Sequence, residues 1–300
     1  MPYHPSPQGS RQARTGGGLL GMLLGNPRIL MALGLVLFAL IKYNTTTVKQ
    51  ENPFTGRIVT VQDMTPEQET ALGLQSVPEM AQQFGGAVRD PLLRSKINEI
   101  GQRLLDAKER IVTQRGKQEA EFDYKFQFHV LADKETINAF ALPGGQIFIT
   151  MALLSKLPNE DAVAGVIGHE IGHVLARHSM QQMAKSGLLS GLVNAAVVAT
   201  SDGTGNSSQI AQVVGQVVQT KYGREHESES DRIGIQLMLE AGYKPEELLS
   251  VMKVLAESMG KGQRPPEILS SHPFPETRAE QIDVYIEFFR KNGPAAEWKG

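Results

Sequence analysis

The sequence predicts an α+β domain in the order helices, small sheet, helices. Three observations predict it. Apolar residues first recur at helical spacing, as in Leu93, Ile97, Ile100 and Leu104. The period then drops to two in "FDYKFQFHVL", where Phe122, Tyr124, Phe126, Phe128 and Val130 alternate with polar neighbours. From Asn159 onward only helical patterns recur. With 300 residues and 41% hydrophobic content, one large domain or two small ones can bury a core. A net charge of −2 without a Lys/Arg run argues against nucleic acid as a partner. The absence of cysteine excludes disulfides, a thiol nucleophile, Cys-ligated metals and a lipoprotein anchor.

Taken in order, the first fifty residues contain no acid, the first being Glu51. Arg11, Arg14 and Arg28 precede the uncharged run "ILMALGLVLFALI". No A-x-A-like cleavage signal follows, so an uncleaved membrane anchor over 29–43 is expected, favoured over a removed signal. The arginines place residues 1–28 in the cytoplasm and the bulk of the chain outside it. An acid-free start is equally a mark of mitochondrial import, which leaves that compartment as the alternative. Residues 44–64 read as a linker, and 65–295 as the folded domain. Thr65–Pro66 and Asp90–Pro91 read as helix caps followed by first-turn prolines. His129 falls on the polar side of its strand, and exposure is expected for it. "INAFALPGGQIFIT" reads as a hairpin turning at Pro143, Gly144 and Gly145. Asn159 caps the next helix, with Glu160 and Asp161 at its positive end. "GLLSGLVNAAVVAT" (187–200) is apolar but too short to span, and reads as a packed helix flanking a cleft. "TSDGTGNSSQ" (200–209) is a flexible loop and candidate lid before another helix at about 209–220.

The chemistry concentrates in "GVIGHEIGHVLARH". Residues four apart on a helix stand about 40° apart, so His169 and His173 can bind one ion. Zinc favours imidazole, and Glu170 lies beside the ion where it can deprotonate an attacking water. Gly165, Gly168, Gly172 and Ala176 leave room for a partner element. His178 lies about 140° from His173 around a continuous helix and so serves as a cap or a support. A third ligand is sought in "REHESESDRIGIQLMLEAG". Glu227 lies at the centre of that helix's apolar face, with Asp231 about 40° away, whereas Glu229 falls about 200° round among polar residues and is expected to be solvated. A buried carboxylate needs a cation and donors. Glu227 is therefore the expected third ligand, and Asp231 suits a carboxylate that orients a ligand histidine; the alternative is a capping cluster at an acidic helix start.

These segments, with "NAFALPGGQIFIT" and "SSHPFPETRAEQI", resemble the gluzincin metallopeptidases of the HtpX, Oma and CaaX-prenyl-protease kind, closest in layout to small membrane-anchored periplasmic members. The resemblance spans about Phe122 to Ile282; Ser230 departs from the family's usual E-x-E-A-D. It implies a zincin-like, mostly helical catalytic domain whose sheet has an edge strand over the metal helix. It implies one zinc per chain on His169, His173 and Glu227, with Glu170 as base. It also implies that Gly144, Gly145, Gln146, Ile147 and Phe148 form that edge and align a peptide. His272 and Arg278 are expected near the metal, to stabilise an oxyanion, or in the case of His272 to occupy the open zinc position in a latent state. The implied activity is hydrolysis of misfolded or damaged envelope proteins at the bacterial inner membrane; the alternative is a zinc-stabilised chaperone. A single anchor argues against prenyl-peptide processing. The sequence ends soon after the last amphipathic helix (Ile282, Tyr285, Ile286, Phe289), and no helical-repeat extension is expected.

Overall fold

A computed structural model describes residues 27–52, 54–116, 124–200, 223–258, 266, 268–272 and 277–298. Residues 1–26, Phe122, the loop expected over 200–209 beyond its first residue, the helix expected at about 209–220, and 273–276 of "SHPFPETR" lie outside the described residues.

The chain starts with α1 (Pro27–Thr46), longer at both ends than the expected anchor and long and apolar enough to cross a membrane. Its Leu37, Phe38 and Ile41 are exposed, so the fold itself does not bury this surface. In place of a linker, residues 47–62 form a hairpin of β1 (Thr47–Glu51) and β2 (Ile58–Gln62). Its β-branched residues Val48, Val59, Thr60 and Val61 carried that signal. α2 (Pro66–Gln83) opens with the capping box Thr65–Gln68, and α3 (Pro91–Gln114) is capped by Asp90 Oδ1 through the amides of Leu92 and Leu93. On α3, Ile97, Ile100 and Leu104 are buried, as their spacing predicts.

Three strands follow: β3 (Gln127–Leu131), β4 (Ala139–Leu142) and β5 (Gln146–Thr150). Their order is β3-β5-β4, with β3 parallel and β4 antiparallel to β5. β5 is therefore the central strand, and all five of its residues are buried. One sheet face joins the main core; the other, through Leu131, Phe148 and Phe140, packs under α2 with Phe84 and Met80. That covered second face is why His129 is half-buried, stacked on Phe148 at 4.5 Å with Nε2 3.0 Å from Gln146 Oε1.

After the one-turn α4 (Met151–Leu154) comes α5 (Glu160–Leu175), capped by Asn159 as expected and buried along nearly its whole length. α6 (His178–Thr200) runs against α1. α7 (Arg224–Ala241), α8 (Glu247–Glu257), the short α9 (Ile268–Ser271) and α10 (Arg278–Asn292) complete the fold. α5 is the hub, touching α3, α7, α8 and β4. This is the α+β, zincin-like arrangement that the sequence suggests, with one N-terminal apolar helix.

Candidate metal centre

The centre forms where α5 and α7 cross, and glycine sets how closely they approach. A Cβ at Gly172 would stand 2.8 Å from the Ser230 carbonyl oxygen, and one at Gly234 would stand 3.1 Å from the Gly168 carbonyl carbon. Backbone meets backbone there, so the side chains flanking the crossing share one small volume.

Into it α5 projects His169 and His173, and α7 projects Glu227. The Nε2 atoms of the two histidines lie 3.0 Å apart. Glu227 Oε2 is 3.5 Å from His169 Nε2, and its Oε1 is 3.4 Å from His173 Nε2. Donors bound to one tetrahedral zinc at about 2.0–2.2 Å stand about 3.3–3.6 Å apart, so both carboxylate contacts match the ion, while the two nitrogens stand closer together than that. His272, following α9, supplies a fourth nitrogen. Its Nδ1 is 3.0 Å from Glu227 Oε1 and 3.4 Å from His169 Nε2, and the four donors all fall within 4.8 Å of one another.

A layer of charge holds the ligands. Asp231 Oδ1 accepts from His169 Nδ1 at 2.8 Å, which leaves Nε2 facing the metal position. Arg278, at the start of α10, donates Nε and Nη2 to the two Asp231 oxygens at 2.7 and 2.8 Å, while its Nη1 lies 2.9 Å from Glu227 Oε2. All three guanidinium nitrogens are thus committed to the carboxylates, where the sequence suggested an oxyanion partner.

Electrostatics follow from burial and these pairings. Burial disfavours a charged His169, but bonds to Asp231 and Glu227 outweigh it and push its pKa up to about 9 in the metal-free chain. Burial holds His173 well below the usual range. Glu227 stays well below an ordinary carboxylate despite burial, because His272, His169 and His173 face it. Burial raises Glu170, which is 1% exposed and whose two oxygens have no hydrogen-bond partner among the described residues. His272 Nε2 lies 3.6 Å from Glu170 Oε1.

Three expectations require correction. Gln146, Ile147 and Phe148 cannot present a free strand edge, because β5 is paired on both sides. Gly144 (φ 72°) and Gly145 (φ 96°) serve the turn before it, and a Cβ on Gly144 would lie 2.2 Å from Thr70 Cα on α2. The sheet edge beside α5 is β4, Ala139–Leu142. Glu229 is not solvated: it is 4% exposed, with Arg57 Nη1 2.8 Å and His178 Nε2 3.2 Å from Oε2. The polar face of α7 is covered by the β1–β2 hairpin and by residues after α10, where Gln236 donates to the Pro294 carbonyl. His178 does not continue the α5 helix, because Arg177 takes a left-handed turn (φ 55°) held by Glu69 and the Met64 carbonyl. The turn brings His178 Nδ1 to 2.9 Å from His173 Nδ1.

Peptidase family M48 matches residues 100–286, well over half of the chain. The beta-barrel assembly-enhancing protease of Escherichia coli (strain K12) is 32% identical over 201 residues, covering 64% of this chain and 38% of that one. Its Yersinia pestis counterpart is 32% identical over 219 residues, covering 71% and 42%. The mitochondrial metalloendopeptidase OMA1 of Saccharomyces cerevisiae is 32% identical over 169 residues, covering 54% and 47%. The chain thus spans less than half the length of each of these relatives.

Proposed function

Because the chain belongs to peptidase family M48, we propose that it is a membrane-anchored zinc metalloendopeptidase that cleaves misfolded or damaged proteins of the cell envelope. The observation that carries the reading is Glu170, a buried carboxylate with no hydrogen-bond partner among the described residues, beside three converging metal donors. His169, His173 and Glu227 would hold the ion, which supplies a Lewis acid for the scissile carbonyl and an acidified attacking water. Glu170 would take up the proton of an attacking water and pass it to the leaving amine. Its raised affinity for protons suits both halves of this task. Asp231 fixes the His169 ring, and Arg278 clamps Asp231 and Glu227 against thermal drift. The edge of β4 is the place for an extended substrate to add a strand beside α5.

In the described arrangement His272 and Glu170 are both nearly sealed from solvent, at 3% and 1% exposure. That observation supports a second element of the reading: His272 occupies the open position, and this is a closed form. The relatives named for barrel assembly or for mitochondria support an envelope or inner-membrane setting, and Arg11 and Arg14 before α1, with Arg28 in its first turn, favour a periplasmic domain.

The test is cleavage of unfolded casein by the full chain in detergent, loaded with zinc, beside Glu170→Gln. Cleavage that vanishes in the variant while zinc remains at one per chain supports the peptidase. Equal cleavage by both removes Glu170 from the mechanism. Capture of casein without cleavage, by wild type and by His272→Ala alike, favours the zinc-stabilised chaperone.

A further inference from the structure

A chain of buried polar groups lies on the far side of His173 from the metal position, and the reaction as described does not use it. His173 points Nε2 toward His169 and Glu227, so its hydrogen sits on Nδ1. The atom facing that hydrogen is His178 Nδ1, at 2.9 Å. His178 must accept there, which puts its own hydrogen on Nε2, opposite Glu229 Oε2 at 3.2 Å. The same oxygen accepts from Arg57 Nη1 at 2.8 Å. Each donor direction follows from the one before. The groups flanking this chain are Ser230 Oγ, 3.3 Å from His178 Nδ1, the His226 ring stacked on His178 at 4.2 Å, and Arg232, 3.6 Å from Glu229 Oε1.

Arg57 belongs neither to α5 nor to α7. It stands at the entry to β2, in the hairpin that follows α1 directly. A second, independent contact joins this hairpin to the metal helix: Asn52, fully buried, donates Nδ2 to the Leu175 carbonyl at the end of α5 at 2.8 Å. Its Oδ1 accepts from the amides of Phe54 and Thr55 and so shapes the hairpin turn. Beyond the Arg177 turn, Val59 and Val61 pack on Met180. The hairpin therefore grips both sides of the segment that places His173 and His178.

We propose that Arg57, Glu229 and His178 form a positioning relay for His173, the counterpart of Asp231 and Arg278 on His169, and that through it the hairpin following α1 sets the metal geometry. The relay rests on the reading of His173 as a metal ligand. None of its members touches substrate. Glu229 gives His178 one tautomer, and His178 gives His173 one ring orientation. Arg57 holds the carboxylate in place and neutralises it, so that a hairpin displaced from α7 releases the far end of the chain.

Zinc affinity of the full chain in detergent, measured by competition with a chromophoric chelator, tests this together with the visible absorption of the cobalt(II)-substituted protein. Glu229→Gln and His178→Ala are each expected to weaken zinc about 10- to 100-fold and to shift the cobalt bands. The double variant is expected to bind no more weakly than His178→Ala alone, because Glu229 acts only through His178. Should Glu229→Gln fail to fold, Arg57→Ala carries the test, with a weakening of several-fold; Arg57 is 43% exposed, so its removal leaves the core intact. Variants that lower the melting temperature of the metal-free chain but keep wild-type zinc affinity and cobalt spectrum would overturn the relay. Zinc retained by His173→Ala at full affinity would instead remove the ligand assignment beneath it.

Discussion

Gly172→Ala puts the helix crossing to the test, since it adds one methyl group and removes no functional atom. The new Cβ would stand 2.8 Å from the Ser230 carbonyl oxygen and 2.9 Å from Ser230 Cα. Carbon contacts are optimal at about 3.5–4.0 Å, so the two helices must part by about 0.7 Å or more. Both offending atoms are backbone, and no rotamer change relieves them. Overpacking of this kind costs about 1–3 kcal/mol, while replacing a helical glycine returns about 1 kcal/mol. The net loss of stability is therefore small, about 0–2 kcal/mol. The metal site has less tolerance, because coordination distances hold to about 0.2 Å and Glu227 rides on the helix that moves. Zinc affinity is expected to fall at least about tenfold. Chelator competition on the full chain in detergent measures the affinity, and thermal unfolding of the metal-free chain measures the stability. Gly187→Ala, where no atom of the described residues lies within 4 Å of the new Cβ, should stabilise α6 by about 0.5–1 kcal/mol with zinc unaffected. A Gly172→Ala chain that binds zinc as tightly as wild type would refute the argument that this contact sets the ligand triangle.

Zinc uptake should be coupled to protons. With the metal-free His169 raised to about 9, an ion binding at pH 7 displaces its proton, so affinity rises by up to about tenfold per pH unit and levels off near pH 9. Calorimetry in buffers of different ionisation enthalpy counts the released proton. The same shift makes a separate prediction for the metal-free fold. A histidine raised above its free value of 6.5 stabilises the fold fully below that pH, and the contribution disappears as pH rises through about 9. Thermal unfolding of the metal-free chain across pH 6–10 should show that loss. His272→Ala opens the volume beside Glu170, and casein cleavage is expected to rise; a fall would return His272 to the oxyanion role.

Local signals in the sequence specified much of this arrangement. The caps at Thr65, Asp90 and Asn159 rest on neighbouring backbone amides, so a few residues define each one. His169, His173, Glu227 and Asp231 came from helical phase, and phase survives into the structure because α5 and α7 are regular. Glu229 was misread by the same method. Its face of α7 is polar in pattern but lies under a hairpin about 170 residues away in sequence and under the segment after α10. Phase places a residue on its own helix and cannot report what covers the other side. The hairpin signal at Pro143–Gly145 made β4 and β5 neighbours without saying which of them β3 would join, and β3 took the edge expected to receive substrate. His178 was placed by continuing a helix that stops at Arg177, whose left-handed turn depends on Glu69 from α2.

Helix α1 ends at Thr46 and strand β1 begins at Thr47, with no residue between them. With α1 in a bilayer, the proposed peptidase domain would have no slack at this joint, and the cutting position would keep a fixed height above the lipid. A substrate must cover the remaining distance with its own chain, and an extended chain covers about 3.3 Å per residue. A folded domain holds its backbone short of that height, whereas a loosened one can reach it. On the function proposed above, the joint between helix and strand would act as a ruler, selecting for length of loose polypeptide near the membrane before any side chain is recognised.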